Sequence, residues 1–111
     1  MNAEELRDYA LSLKNVTEGF PFGEETLVFK TDAKIFLLVS LSAVPLQFNV
    51  KCDPDVAIEL REQYPCIIPG YHMNKKHWNT IMVDGTLTRS QLKKFIMNSY
   101  LLVSKKKQLN S

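Results

Sequence analysis

The sequence predicts an α+β two-layer sandwich in which the helices cover one face of an antiparallel sheet. Two observations predict this class. Strand-like segments follow one another through short turns, and such connections require antiparallel pairing. Three amphipathic segments that begin with helix-capping residues lie before, between and after the strands, which gives the order α-β-β-β-α-β-β-α.

The first helix is predicted over residues 3–14. Asn2 and Glu5 have the spacing of a helix N-cap and its partner. Four apolar side chains then recur on one helical face: Leu6, Tyr9, Ala10 and Leu13. Residues 15–23 break this pattern with two glycines and a proline, so we expect a loop there, with Phe20 and Phe22 plugging the edge of the core.

Three strands are predicted next, over 26–31, 34–41 and 46–51. In the second strand, the side chains that point to either face are apolar, as in a central strand covered on both faces. The third alternates, with Leu46, Phe48 and Val50 against Gln47, Asn49 and Lys51. One face of the sheet is therefore packed and the other is solvated.

The second helix starts at Asp53-Pro54, an N-cap followed by proline at the first helical position, and ends at Pro65. One or two strands follow within 67–83. Thr88 and Gln91 have capping-box spacing and open a third helix from about 89 to 103. We expect the polar residues 105–111 to fray.

At 111 residues, with 45% hydrophobic and 23% charged residues, the chain forms one domain, 1–111. Its net charge of +2 and pI of about 8.5 do not by themselves indicate nucleic-acid binding. An acidic start, without a basic leader, and the absence of a long apolar run predict a soluble, cytoplasmic protein with no membrane association. Cys52 and Cys66 bracket the second helix and should lie ~15 Å apart, as free thiols.

The stretch from Ile67 to Thr80 gathers both histidines, the only tryptophan and two adjacent lysines. Its middle must turn, and a turn with these side chains suits an anionic, flat ligand. In this hypothesis the lysines contact phosphates while the aromatic rings stack on bases. The predicted nucleic-acid or partner-binding residues are Tyr71, His72, Asn74, Lys75, Lys76, His77, Trp78 and Asn79.

Three motifs resemble the MmcQ/YjbR family, and in order they cover almost the whole chain: 20–25 (FPFGEE), 51–54 (KCDP) and 69–79 (PGYHMNKKHWN). The resemblance implies a secretion-chaperone-like or frataxin-type α+β fold with a twisted antiparallel sheet. Proteins of this family have been proposed to bind DNA through a double-wing arrangement of β-hairpins. The resemblance brings no catalytic residues.

Strand alternation places Trp78 on the open sheet face if Ile81 and Val83 face the helices. We expect Trp78 to be exposed there, with these neighbours: Thr80, Met82, Gln47, Asn49 and Lys51. The opposite register would bury Trp78 and expose Ile81 and Val83, at a greater cost.

The sequence gives less support to a metal site or to catalysis. The spacings of Cys52, Cys66, His72 and His77 match no zinc motif, so no metal or cofactor is predicted. No oxyanion hole accompanies Cys66, and we predict a non-enzyme. The partner is DNA, bound weakly and without sequence preference, or, alternatively, a protein or second copy of the chain on the same sheet face.

Overall fold

The structure, a computed structural model, describes residues 1–70 and 73–109 and, within these, all side chains except those of residues 105–109. Its elements are α1 (Ala3–Ser12), β1 (Val16–Gly19), β2 (Thr26–Thr31), β3 (Lys34–Ser40), β4 (Gln47–Lys51), α2 (Pro54–Gln63), β5 (Ile67–Pro69), β6 (Trp78–Met82) and α3 (Arg89–Leu109). The predicted α+β class is confirmed, with one strand more than the sequence indicated.

The described strands form one sheet of six, in the spatial order β1-β2-β3-β4-β6-β5, and every neighbouring pair is antiparallel. The main core lies between this sheet and the helices. Its largest fully buried side chains are Phe29, Phe36 and Phe48. Leu6 of α1 and Ile96 of α3 pack into the same core, so the helices share one face as predicted.

The other face of the sheet is the open face, and strand register determines which side chains it carries. Leu38 pairs with Asn49, which pairs in turn with Thr80. Two residues along the strands, Lys51 pairs with Trp78. The predicted register is therefore confirmed.

All three predicted helix starts are confirmed by hydrogen bonds. The Oδ1 atom of Asn2 accepts from the backbone N–H of Glu5 at 2.8 Å. Asp53 caps α2, with Pro54 in its first turn. Thr88 and Gln91 form a reciprocal capping box at the start of α3, with distances of 2.8 and 3.2 Å.

Strand β1 lies in the segment that the sequence predicted as a loop. It is an edge strand with only intermediate and exposed residues, so no alternating apolar pattern marks it. Pairing with β2 and a 2.5 Å ion pair between Glu18 and Arg7 of α1 hold it in place. Phe20 and Phe22, beyond its end, are 50% and 63% exposed, so the prediction that they plug the core edge was wrong.

Helix α3 continues to Leu109, past the predicted end near residue 103. In the described part of the chain, no helix combines the length and apolar character that a membrane span requires.

Ser99, fully buried in α3, connects two strands where their pairing ends. Its hydroxyl donates to the Phe36 carbonyl at 2.5 Å and accepts from the Lys51 N–H at 2.8 Å. This serine therefore satisfies backbone groups that would otherwise be buried without partners.

Candidate functional site

The lysine-bearing turn, residues 73–77, joins β5 to β6 and is organised by Asn74. The Asn74 carbonyl accepts from the N–H groups of His77, at 3.0 Å, and Trp78, at 2.9 Å. Its side-chain Oδ1 accepts from the Lys76 N–H at 3.0 Å. Asparagine closes turns in this way because its short side chain reaches its own backbone two residues on. Lys75 and Lys76 are both exposed on this turn.

Two neighbouring segments hold the turn from outside. The Cys52 N–H donates to the His77 carbonyl at 2.7 Å. Arg61 of α2 donates from Nη2 to the Lys75 carbonyl at 3.2 Å and from Nε to the Ala57 carbonyl at 3.1 Å. The turn is therefore fixed to both the end of β4 and the helix layer.

Trp78 lies on the open face as predicted, but the expectation that it is exposed was wrong. It is only 7% exposed and forms a small second core with Val28 and Leu38. Ile35 and Met73 pack against this cluster. Alternation sets the face on which a side chain lies, whereas here segments from elsewhere in the chain cover that face.

Asn79 was predicted as a contact residue, but it is fully buried on the helix side. Its Nδ2 group donates to the Ala57 carbonyl of α2 at 3.3 Å and lies 4.0 Å from the Cys52 sulfur. Its Oδ1 atom has no hydrogen-bond partner among the described residues. Because it alternates with Trp78 and Thr80, Asn79 faces the core and joins β6 to α2, so it cannot reach a ligand on the open face.

The remaining predicted residues are placed as follows. Lys75, Lys76 and Asn74 are exposed, and His77 is half-buried. Tyr71 and His72 lie outside the described residues. The structure thus brings four of the predicted residues together at the turn, next to Trp78.

Lys34 and Lys51 add two cations that the predicted site did not include. With Ile35 and Trp78 they line a groove of about 420 Å³, completed by Leu102 and Val103 of α3. The alternation of β4 already predicted Lys51 beside Trp78 on the open face, although Lys51 was not counted among the binding residues. Lys34 follows a tight turn and gave no comparable signal.

A second concavity lies farther along the open face and has a volume of about 330 Å³. Apolar and small polar side chains line it: Phe22, Thr26, Leu38, Ser40, Asn49 and Met73. At its base, the Thr80 hydroxyl donates a short hydrogen bond to the Oδ1 atom of Asn49. No sequence pattern indicated this cavity, because its walls come from separate segments of the chain.

Both cysteines are free and buried, so the prediction that they do not pair is confirmed. Burial raises the pKa of the Cys52 thiol to about 11, and burial also raises the pKa of Cys66. Such thiols are poor nucleophiles because almost no thiolate forms near neutral pH. No group of three or more His, Cys, Asp or Glu side chains is placed to hold a metal in the described parts of the chain.

A model of the YjbR family matches residues 11–102. The chain belongs to the YjbR family. YbdF from Escherichia coli O157:H7 is 42% identical over 101 residues, which cover 90% of this chain and 82% of YbdF. YjbR from Escherichia coli K12 is 27% identical over 100 residues, covering 90% of this chain and 85% of that protein. The resemblance that the sequence motifs indicated is confirmed.

Two solved structures of other proteins show the same fold. A crystal structure of a Deinococcus radiodurans protein superposes with a TM-score of 0.89 at 40% identity, covering 96% of this chain and 80% of that one. A Pseudomonas syringae protein gives a TM-score of 0.78 at 26% identity, covering 92% and 98% of the two chains. The names of these relatives assign no activity, so function has to be argued from the site itself.

Proposed function

We propose that this YjbR-family protein is a non-enzymatic binding protein that binds nucleic acid at its open sheet face. The observation that carries the proposal is the fixed turn with the exposed Lys75 and Lys76, which leads directly into Trp78, a lining residue of the groove of Lys34 and Lys51. Because hydrogen bonds already hold the backbone of this turn, binding a phosphate there has to order only the lysine side chains. The free thiols Cys52 and Cys66 fit a reducing compartment such as the cytoplasm.

Burial of Trp78 changes the role proposed for that residue. Trp78 lines the same groove as Lys34 and Lys51 but is largely covered, so it supports the surface more than it stacks on a base. Coverage of Val28, Leu38 and Trp78 also reduces the apolar area that this face offers to a protein partner. This favours an anionic ligand over the alternative protein-interaction role on the same face.

Binding should be weak and should depend on salt. The net charge is +2, so we expect dissociation constants in the range of ~10⁻⁴–10⁻⁶ M that is typical of non-specific binding. The test is fluorescence anisotropy of labelled single-stranded and duplex DNA at two salt concentrations. A protein partner held by apolar contacts would show little salt dependence.

Lys75→Ala/Lys76→Ala is the variant that tests the turn. If each lysine contacts one phosphate, the double variant should weaken binding to all sequences about equally and lower the salt slope by about 1.4 on single strands. The matched control is Lys14→Ala/Lys94→Ala, which removes the same charge from exposed positions on α3 and just beyond α1. Identical titrations of the two double variants, or no binding at low salt, would reject the proposal.

A further inference from the structure

We propose that the 330 Å³ cavity between Phe22 and Met73 receives one unpaired nucleobase. This inference rests on the proposed function and names the part of the nucleic acid that the open face recognises. Its volume is at the lower end of the range for small-ligand pockets, which suits a single heteroaromatic ring.

The polar groups in the cavity are available for a ligand. The hydroxyls of Thr26 and Ser40 make no hydrogen bond to any described residue, and neither does the Nδ2 group of Asn49. Asn49 itself is only 7% exposed. This amide keeps a donor that a ligand in the cavity can use, and its Oδ1 atom is already occupied by Thr80. A carbonyl at the edge of a base would accept from this Nδ2 group.

The apolar walls fit the faces of a planar ring. Phe22 is 63% exposed although it is aromatic, and Met73 lies on the same rim. Leu38, 5% exposed, is a further apolar part of the lining. Aromatic and thioether side chains contact bases without discriminating strongly among them, because every base has a π-face.

Among the described residues, no charged side chain lines this cavity, which favours an uncharged base over a phosphate as its occupant. The cations lie farther along the same face. Asn49 and Lys51 are two residues apart on β4 and point to the same side, so their Cα atoms are about 7 Å apart. A nucleotide strand can therefore place a base against Asn49 and a phosphate near Lys51. Because a paired base is enclosed by its neighbours in the stack, the geometry requires a single strand or an unpaired end.

The experiment compares two labelled strands of equal charge: an eight-nucleotide oligothymidine and an eight-unit abasic phosphodiester. Both are titrated against the full-length protein at low salt. We expect the oligothymidine to bind about tenfold more tightly, since one stacked base contributes about that much. Phe22→Ala should remove most of this difference and leave abasic binding unchanged.

Matched controls separate the cavity from its surroundings. Phe20→Ala removes a similarly exposed ring, at 50%, that lines a different concavity together with residues of α1. Thr26→Val/Ser40→Ala removes the two hydroxyls, and Thr17→Val makes the same Thr-to-Val change on exposed β1, outside the cavity. Circular dichroism confirms that each variant is folded. Thymidine alone, which carries no phosphate, is titrated by NMR, observing the amides of Ser40, Asn49 and Met73.

The outcomes distinguish this inference from the proposed function. If strands bind through the lysines but Phe22→Ala and the hydroxyl variant titrate like wild type, the base cavity is rejected and the proposed function stands. If thymidine shifts the cavity amides in wild type and not in Phe22→Ala, but no strand binds, the cavity stands and the proposed function fails. Equal affinity for the two strands together with no thymidine shifts overturns the inference.

Discussion

At the scale of single residues, Trp78 connects stability to the binding surface. Its indole is 7% exposed, packs with Val28 and Leu38, and borders the groove that contains Lys51. The ring therefore supports the side chains around it on the open face. A substitution that removes the ring should disturb both this cluster and the adjacent lysine-bearing turn.

Trp78→Ala is expected to lower the free energy of unfolding by about 3–5 kcal/mol, as for other buried aromatic residues. Tryptophan emission of the wild type should be blue-shifted and poorly quenched by iodide. Urea denaturation measures the first quantity and fluorescence the second. Phe22→Ala, which removes a 63% exposed ring, is the control and should cost well under half as much. A loss below ~1.5 kcal/mol for Trp78→Ala would contradict this assignment.

Cys52 gives a prediction for the pH dependence of stability. Burial raises its thiol pKa to about 11, whereas a thiol in an unfolded chain ionises near ~8.5. Because the folded state holds the proton more tightly, this contribution is complete below pH ~8.5 and is lost as the pH rises towards 11. Urea unfolding at pH ~7 and pH ~10 should therefore show a larger loss in wild type than in Cys52→Ala. Parallel losses in the two proteins would argue against this role of the thiol.

At the scale of elements, the lysine turn is positioned by α2 and by the end of β5. Arg61 reaches from α2 to the Lys75 carbonyl, and Asn79 connects β6 back to Ala57 of the same helix. At Gly70 the backbone comes close to that of Trp78, and the Gly70 N–H donates to the Trp78 carbonyl at 2.9 Å. The position of the two lysines therefore depends on contacts made by residues outside the turn.

Gly70→Ala should destabilise the protein and weaken its binding together. A Cβ atom at this position would lie 3.0 Å from both the Cβ and the carbonyl oxygen of Trp78, so β5 and β6 would have to separate. We expect a loss of roughly 1–3 kcal/mol, as for other overpacked sites. Thermal denaturation and anisotropy at low salt measure the two effects. Gly19→Ala is the control and should change both far less, because no described residue other than its chain neighbours lies within 4 Å of the position that its new methyl group would take.

At the scale of the whole molecule, charge placement matters more than net charge. The chain carries 14 basic and 12 acidic residues, which is nearly balanced. Lys34 and Lys51 line one groove with Trp78, and the exposed Lys75 and Lys76 lie within three residues of Trp78 along the chain. A local cationic surface on a nearly neutral protein favours contacts of short range, because screening limits longer ones.

Much of the architecture could be predicted because its determinants are local. Asn2, Asp53 and the Thr88–Gln91 pair fixed the helix starts through contacts within one turn. Alternation along β4 and β6 identified the open face and the register of Trp78. The same alternation already implied that Asn79 points into the core, although its polar side chain suggested a surface contact.

The sequence by itself determined the α+β class, the helix boundaries at their capped ends, the strand faces and the family, since each depends on spacing within a short segment. Only the tertiary structure decided that β1 is a strand, that Met73 and Ile35 cover Trp78, and that Phe22 and Asn49 line one cavity. These features depend on contacts between segments far apart in the chain. Periodicity shows which way a side chain points, whereas the residues that cover it are brought there by the fold.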